Sequence, residues 1–218
     1  MTMTQAQAFK RTIAHAWYTD NDPFKLFNNT FTTITPKELS KNHILFLWGG
    51  EDIATEIYGE TPCDYVRNEH KSIRDTIEIN LFHKAVNLQI PIIGICRGAQ
   101  LITCLTGGSL IQHIEEHNGG NHVIVTQEDQ MLVTNSCHHQ MMVPNPKTST
   151  ILAHSIEYKN SFGLRENNKK VIINNVPEIV HFPDVNALGI QGHPEWPTMP
   201  RKTIKYCINL IKNLILNE

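Results

Sequence analysis

The run Ile90-Pro91-Ile92-Ile93 leads directly into Gly94-Ile95-Cys96-Arg97-Gly98, and no other stretch constrains the fold as tightly. A short apolar run of this kind reads as a buried strand, and two glycines placed around one cysteine at its end mark an abrupt turn into a helix. Flanking residues without side chains are what such a tight, strained turn needs. The next segment, Ala99-Gln100-Leu101-Ile102-Thr103-Cys104-Leu105, reads as a short buried helix stopped by Gly107-Gly108. Cys96 then sits at a helix N-terminus, where free N–H groups and the helix dipole favour thiolate over thiol. Taken alone, the pentapeptide is equally compatible with a cysteine buried on a core strand.

A second segment, Ala187-Leu188-Gly189-Ile190-Gln191-Gly192-His193-Pro194-Glu195-Trp196, is an apolar strand ending in a histidine with an acid two residues on. Side chains two apart on an extended chain point the same way, so His193 and Glu195 share one side, with Pro194 stiffening the link. A nucleophile, a base and an acid that orients the base form a constellation recognised by role rather than by order. The plainer reading of this segment alone is a strand-end histidine beside an exposed glutamate.

Around these segments short apolar runs alternate with helical patterns, which argues for an α/β fold of parallel strands with crossover helices. Residues 12–17 and 31–35 read as early strands and 44–47 as a central one. Ser72 precedes apolar positions 73, 77, 81, 85 and 88, which predicts an amphipathic helix over 73–88 capped by Ser72. Later runs at 122–126, 131–134, 151–153, 171–173 and 178–180 are short and turn-separated, and predict antiparallel additions to the sheet. Pro200 opens a final helix whose stripe at 204, 207, 208, 211, 214 and 215 packs on the core, Cys207 included. No repeat or linker divides the chain, so residues 1–218 are expected to form a single domain.

Composition narrows the functional classes. A net charge of -2 gives no electrostatic case for nucleic acid or an anionic membrane. The apolar runs fall far short of the roughly 18 residues needed to span a bilayer. Met1-Thr2-Met3-Thr4-Gln5 lacks the basic start and apolar core of a signal, so a soluble, cytoplasmic protein is expected. Five cysteines, at 63, 96, 104, 137 and 207, are odd in number and without paired spacing, which fits a reducing compartment. Asn28-Asn29-Thr30 fits a glycosylation acceptor, but nothing else points to secretion. The twelve histidines raise a metal question, particularly His117 and His122 near Cys137, His138 and His139. None has helical HExxH or CxxC spacing, and adjacent histidines on a strand face opposite ways, so no metal is expected.

The segments PIIGICRGAQ and GIQGHPEW resemble the nucleophile and His-Glu motifs of class I glutamine amidotransferases. Further stretches resemble the gamma-glutamyl hydrolase-like (gamma-glutamyl-gamma-aminobutyrate hydrolase-like) branch. They are Leu47-Trp48-Gly49-Gly50-Glu51-Asp52 with Ile57-Tyr58-Gly59-Glu60, Arg74-Asp75 with Glu78, Gly107-Gly108-Ser109-Leu110-Ile111-Gln112, and Asn135-Ser136-Cys137-His138-His139-Gln140. The resemblance covers roughly residues 44 to 197 and leaves the first forty without a matching motif. It implies a flavodoxin-like fold, a mostly parallel sheet flanked by helices, and cysteine-dependent hydrolysis of a small-molecule gamma-glutamyl amide through a glutamyl thioester, without a cofactor.

By the same resemblance Cys96 is the nucleophile, His193 the base and Glu195 its orienter. The N–H groups of Gly50 and Arg97 form the oxyanion hole, Gln100 and His138 contact the gamma-glutamyl group, and His139 faces away. Arg74 and Glu78, spaced i,i+4, read as an ordinary surface ion pair worth only ~0.3–0.5 kcal/mol and are left outside the site. Two positions depart from the branch. Gly192 stands where an aromatic residue is common, which predicts a wider pocket beside His193, and Trp48 stands where proline is frequent. Two other functions remain open: a glutaminase subunit that passes ammonia to a separate synthetase, and a catalytically silent binding or regulatory protein of the same fold. The presence of Cys96, His193 and Glu195 together argues against the second.

Overall fold

Ile92, Ile93 and Ile95 point to alternate faces of one short strand, yet all are fully buried, so that strand must be covered on both faces. The computed structural model describes residues 12–15, 31–33, 35–114, 118–157 and 161–216. In chain order, β1 (Thr12–His15), β2 (Phe31–Thr33) and β3 (His43–Leu47) precede α1 (Ile73–Leu88), β4 (Ile92–Ile95) and α2 (Arg97–Leu105). Next come β5 (Ser109–Ile111), β6 (His113–Ile114), β7 (Asn118–Thr126), β8 (Met131–Cys137), β9 (Met141–Val143) and β10 (Thr150–Ser155). The chain closes with β11 (Phe162–Arg165), β12 (Lys169–Ile172), β13 (Val176–Phe182), β14 (Ala187–Ile190) and α3 (Arg201–Leu210), which runs on into a π-helical turn at Ile211–Leu216. The Asn28 triplet, His117 and positions 16, 17 and 34 of the expected early strands lie outside the described residues.

Among the described residues, nine strands form one sheet in the order β2-β1-β3-β4-β14-β13-β10-β7-β8. The pairs from β2 through to β14 are parallel, and those from β14 to β8 are antiparallel. The expected antiparallel additions are therefore present. The strand expected at 171–173 is the exception, because β12 belongs to a separate three-stranded sheet with β11 and β6. Lys169, Lys170 and Ile172 are all exposed, and a strand with two lysines suits a small solvent-facing sheet better than the buried middle of the large one.

The two faces are sorted by strand alternation. Leu45, Leu47 and Ile92 pack with Leu81, Phe82 and Ala85 of α1 and with Leu101 and Ile102 of α2. Ile44, Phe46, Ile93 and Ile95 pack with Cys207, Ile211 and Ile215 of the C-terminal helix. Burying one such side chain contributes ~1.5–3 kcal/mol, several times an exposed ion pair, so the double-sided core fixes which strands are neighbours. The π-helical turn keeps Ile211 and Ile215 buried in line with Cys207, as the stripe expected after Pro200 requires.

Helix α1 has the expected bounds and the expected cap. The Ser72 hydroxyl accepts from the Asp75 N–H while the Asp75 carboxylate accepts from the Ser72 N–H, a reciprocal capping box. The helix ends on Gln89 in the left-handed conformation at φ 57. Its first two turns depart from the simple amphipathic pattern: Ile73 is exposed, whereas Asp75 and Glu78 are buried. Replacing Ser72 by Ala removes half of the capping box and is expected to lower stability by ~1 kcal/mol, read as a lower urea midpoint at unchanged slope.

Candidate active site

Strands β3, β4 and β14 lie side by side and parallel, with Leu45 opposite Ile92 and Ile190 opposite Ile95. Residues just past their carboxyl ends therefore gather at one edge of the sheet, the usual place for a site in such folds. They are Gly49 and Gly50 after β3, Cys96 and Arg97 after β4, and His193 and Glu195 after β14. Cys96 takes φ 50 and ψ −108, a conformation that L-residues hold only where the surroundings over-determine it. Its N–H donates to the Ile190 carbonyl at 2.7 Å, tying the elbow to β14. Both flanking glycines are required by close approach. A Cβ on Gly94 would lie 2.6 Å from the Ala99 nitrogen, and one on Gly98 would overlap the Leu47 carbonyl.

His193 is held on several sides. Its Nδ1–H donates to Glu195 Oε1 at 2.7 Å, and the opposite edge of the ring lies beside Cys96, both facing Gly49. The Asn135 side chain grips the backbone of His193, accepting from its N–H at 2.7 Å and donating to its carbonyl at 3.3 Å. Trp196 stacks on the imidazole with ring centroids 4.7 Å apart. Burial by itself pulls the ring's proton affinity down. Hydrogen bonds to Cys96 and Glu195, and the charges of both, outweigh it and push the His193 pKa up to about 10. The imidazole thus carries its proton at neutral pH beside the sulfur, an arrangement suited to a nucleophile and a proton donor acting in turn.

The charged side chains beneath the elbow differ from the surface pair expected for Arg74 and Glu78. Glu78 is buried, and its carboxylate accepts from Arg74 Nε at 2.9 Å and, through its other oxygen, from Arg97 Nη1. Arg97 Nη2 pairs with Asp75, so the Arg97 guanidinium points to α1. Arg74 turns its remaining donors to the loop after β3, where Nη2 donates to the carbonyls of Trp48 at 2.9 Å and Gly49 at 3.1 Å. Gly50 sits at φ 149, a conformation that favours glycine. Trp48 is buried against Phe46, with ring centroids 5.0 Å apart. Sequence spacing identified the Arg74–Glu78 pair but not its surroundings; the one available sign was that Arg74, Asp75 and Glu78 recur together in the resemblance.

The remaining site residues fall into two groups. Gln100 is buried and its Nε2 donates to the Gln140 carbonyl at 3.3 Å and to Gln191 Oε1 at 3.4 Å. The same Gln140 carbonyl accepts from His138 Nδ1 at 2.8 Å. The side-chain amide of Gln140 and Nε2 of Gln191 are buried without a hydrogen-bond partner among the described residues. His139 turns elsewhere: Nε2 meets the Asp52 carboxylate at 3.1 Å, and Nδ1 lies 3.2 Å from Nδ1 of His113. The wider pocket expected at Gly192 is absent, because its Cα abuts β8 and a Cβ there would overlap the Thr134 hydroxyl. Asn135, Gln191 and Trp196 were unassigned on sequence grounds, although all lie inside the quoted motifs.

The other titratable candidates are structural neighbours of the site. His122 Nε2 donates to Glu178 at 2.8 Å, both side chains being buried; burial raises the Glu178 carboxyl and His122 opposes it. Cys207 is pushed up to about 12, first by burial and then by the charge of Glu195. Burial, followed by Glu60, also pushes the Cys104 thiol well up. Among the described residues no group of three or more His, Cys, Asp or Glu is arranged to hold a metal ion, and no helix is long and apolar enough to cross a membrane.

The chain resembles proteins of known family. The glutamine amidotransferase-like protein YvdE of Lactococcus lactis is 26% identical over 176 residues, which is 71% of this chain and 67% of YvdE. A Schizosaccharomyces pombe protein named as a glutamine amidotransferase is 28% identical over 162 residues, covering 69% of this chain and 61% of that protein. The small chain of Escherichia coli carbamoyl phosphate synthase is 26% identical over 75% of this chain but only 36% of its own length. Among solved structures, a glutamine amidotransferase of Thermotoga maritima superimposes with a TM-score of 0.55 over 97% of this chain and 86% of its own, at 17% identity. That likeness is one of fold, the flavodoxin-like α/β fold of class I glutamine amidotransferases. A Peptidase C26 profile matches residues 23–195, and since this span takes in most of the chain and all three strand ends of the site, the protein belongs to the Peptidase C26, class I glutamine amidotransferase-like family.

Proposed function

We propose that this chain hydrolyses a gamma-glutamyl amide through a glutamyl thioester, with Cys96 as nucleophile, His193 as acid and base, and Glu195 as orienter. The observation that carries the reading is the convergence of these side chains at the ends of β4 and β14, with His193 bonded to Glu195 and set beside Cys96 against the same glycine, Gly49. In the reading, the Cys96 sulfur attacks the gamma-carbonyl carbon, and the carbonyl oxygen becomes an oxyanion received by the N–H groups of Gly50 and Arg97. As the tetrahedral intermediate collapses, the carbon–nitrogen bond breaks and His193 gives its proton to the leaving amine. His193 then takes a proton from water, which attacks the thioester and frees glutamate. Gln100 and His138, with the unpartnered amide of Gln140 and Nε2 of Gln191, suit the polar amino-acid end of a glutamyl group.

The gamma-glutamyl hydrolase branch, rather than an ammonia donor, is supported by the motifs around Gly50, Gly59 and Asn135. The second reading, delivery of ammonia to a separate synthetase, draws on the likeness to the carbamoyl phosphate synthase small chain. A screen of the purified chain against L-glutamine and a set of gamma-glutamyl amides decides between them. Release of glutamate without ATP or a second protein supports the hydrolase; trace turnover that a co-purifying synthetase raises by orders of magnitude supports the donor.

The roles generate unequal losses. Cys96→Ala and His193→Ala are each expected to lower kcat roughly 10³-fold or more, and Glu195→Gln by less, because it spares the proton carrier. Steady-state rates on one gamma-glutamyl amide measure this, and an active His193→Ala variant would discard the scheme.

The raised His193 pKa sets the pH dependence. Because the folded value lies above the ordinary 6.5, the ring's contribution to stability is fully present below 6.5 and is lost as pH rises through about 10. The rate should fall over the same alkaline limb, near 10. Glu195→Gln, which removes one of the raising partners, should move that limb to lower pH. Iodoacetamide labelling at pH 6 should favour Cys96 over Cys63, Cys104, Cys137 and Cys207, although Cys137 is the exposed one. Peptide mass spectrometry reads the order.

A further inference from the structure

The loop after β3 lies between a guanidinium and the catalytic side chains. A Cβ on Gly49 would sit 2.7 Å from His193 Cε1 and 3.5 Å from the Cys96 Cβ, whereas a Cβ on Gly50 would strike Arg74 Nη1. Arg74 Nη2 holds the carbonyls of both Trp48 and Gly49. In a trans peptide the C=O and N–H point in opposite directions, and the described residues contain no cis peptide bond. Drawing the Gly49 carbonyl to Arg74 therefore turns the Gly50 N–H away from Arg74. Half a turn of that one peptide would exchange them, presenting a carbonyl oxygen where a donor is needed. Two glycines in succession leave little steric resistance to such a rotation, so an outside group has to set its direction.

We propose that Arg74 is the positioning residue of the oxyanion loop, holding the Gly49–Gly50 peptide with its N–H on the nucleophile's side so that the hole is complete in the isolated chain. The proposal rests on the thioester reading of the preceding subsection. The aim of the guanidinium is itself fixed: Nε is bonded to Glu78 Oε1 at 2.9 Å, and the other oxygen of Glu78 holds Arg97, whose own N–H is the second donor. One carboxylate thereby references both donors to the same turn of α1. The requirement is for arginine in particular, since its planar fork serves the Glu78 carboxylate and two carbonyls at once, which an ammonium on a flexible stem does not. A loop set from within also removes the need for a synthetase to set it from without.

The test compares Arg74→Ala and Arg74→Lys with the wild-type chain, using L-glutamine and gamma-glutamyl p-nitroanilide as substrates and iodoacetamide as a probe of Cys96. Alkylation by iodoacetamide displaces iodide and develops no oxyanion, so it reports the nucleophile without the hole. Loss of one aligned donor is worth roughly 10²–10³-fold in kcat, and Arg74→Ala is expected to show a loss of that order. Its KM should change little and its Cys96 alkylation rate should stay within about twofold of wild type. Arg74→Lys should fall between the two. Guanidinium ion added at millimolar concentration, below any denaturing effect, should restore part of the Arg74→Ala activity. A folded Arg74→Ala chain with wild-type kcat overturns the proposal, as does a kcat loss matched by an equal loss of alkylation, which would mark general damage to the elbow. Should Arg74→Ala fail to fold, Arg74→Lys decides by the same two rates. A wild-type chain inactive on both substrates overturns hydrolysis by the isolated chain and the clamp with it, whereas an active wild type with equally active variants overturns the clamp alone.

Discussion

Everything at this site depends on β4 lying between β3 and β14 in parallel register. The Cys96 N–H meets the Ile190 carbonyl at 2.7 Å, so the elbow cannot move along the strand axis without breaking from β14. On the other side, Gly98 approaches the Leu47 carbonyl too closely for any side chain, which locks the start of α2 against the end of β3. The strain of Cys96 at φ 50 persists because both neighbours hold it. Cys96 is therefore placed by the sheet rather than by a loop, and the glycine loop and the histidine reach it from adjacent strands.

The second constraint is electrostatic. Arg97, Asp75 and Glu78 are nearly excluded from solvent, with Arg74 largely covered beside them. Burying such charges is costly, and a well-packed apolar cluster of equal volume is often as stable or more so. The arrangement is better understood through direction than through stability. A guanidinium forked between separate acceptors, as Arg97 is between Glu78 and Asp75, is fixed in orientation, and the groups oriented here are the first turn of α2 and the loop after β3. The capping box at Ser72 serves the same end, because Asp75 shares its carboxylate between the cap and Arg97. A local signal that merely starts a helix thus also holds a charged group whose partner begins the helix after Cys96.

This explains which features were legible in the sequence. Helix α1 and its cap depend on contacts within four residues, and its bounds follow from spacing alone. The elbow is announced by two glycines around a cysteine, although only Gly94 answers to a local contact, with Ala99, while Gly98 answers to the Leu47 carbonyl of β3. Arg74 was misplaced on the surface because its partners, Trp48 and Gly49, lie 26 and 25 residues away, and an i,i+4 pair looks the same on either face of a helix. Gly192 misled for a similar reason: a missing side chain reads as space, but here it permits β8 to approach. The strand at β12 was legible as a strand but not as a member of a second sheet, since pairing partners are chosen by burial and not by local pattern.

The antiparallel half of the sheet holds the histidine, which the parallel half alone would leave poorly fixed. His193 lies beyond the end of β14, where no ladder hydrogen bond fixes the chain. Its backbone is gripped instead by Asn135 of β8. In the sheet, β8 stands at the far edge, separated from β14 by β13, β10 and β7. For the Asn135 side chain to reach His193, the sheet must curl until its antiparallel edge returns over the ends of the parallel strands. Gly192 is what allows the closest approach, as its Cα meets Thr134 and Asn135 where a larger residue would push β8 away. The same segment continues into His138 and Gln140, which meet Gln100 of α2 through one shared carbonyl. The parallel half thus carries Cys96 and the glycine loop, while the antiparallel half holds His193 and closes the polar wall opposite; the curl that joins them is what brings these groups together.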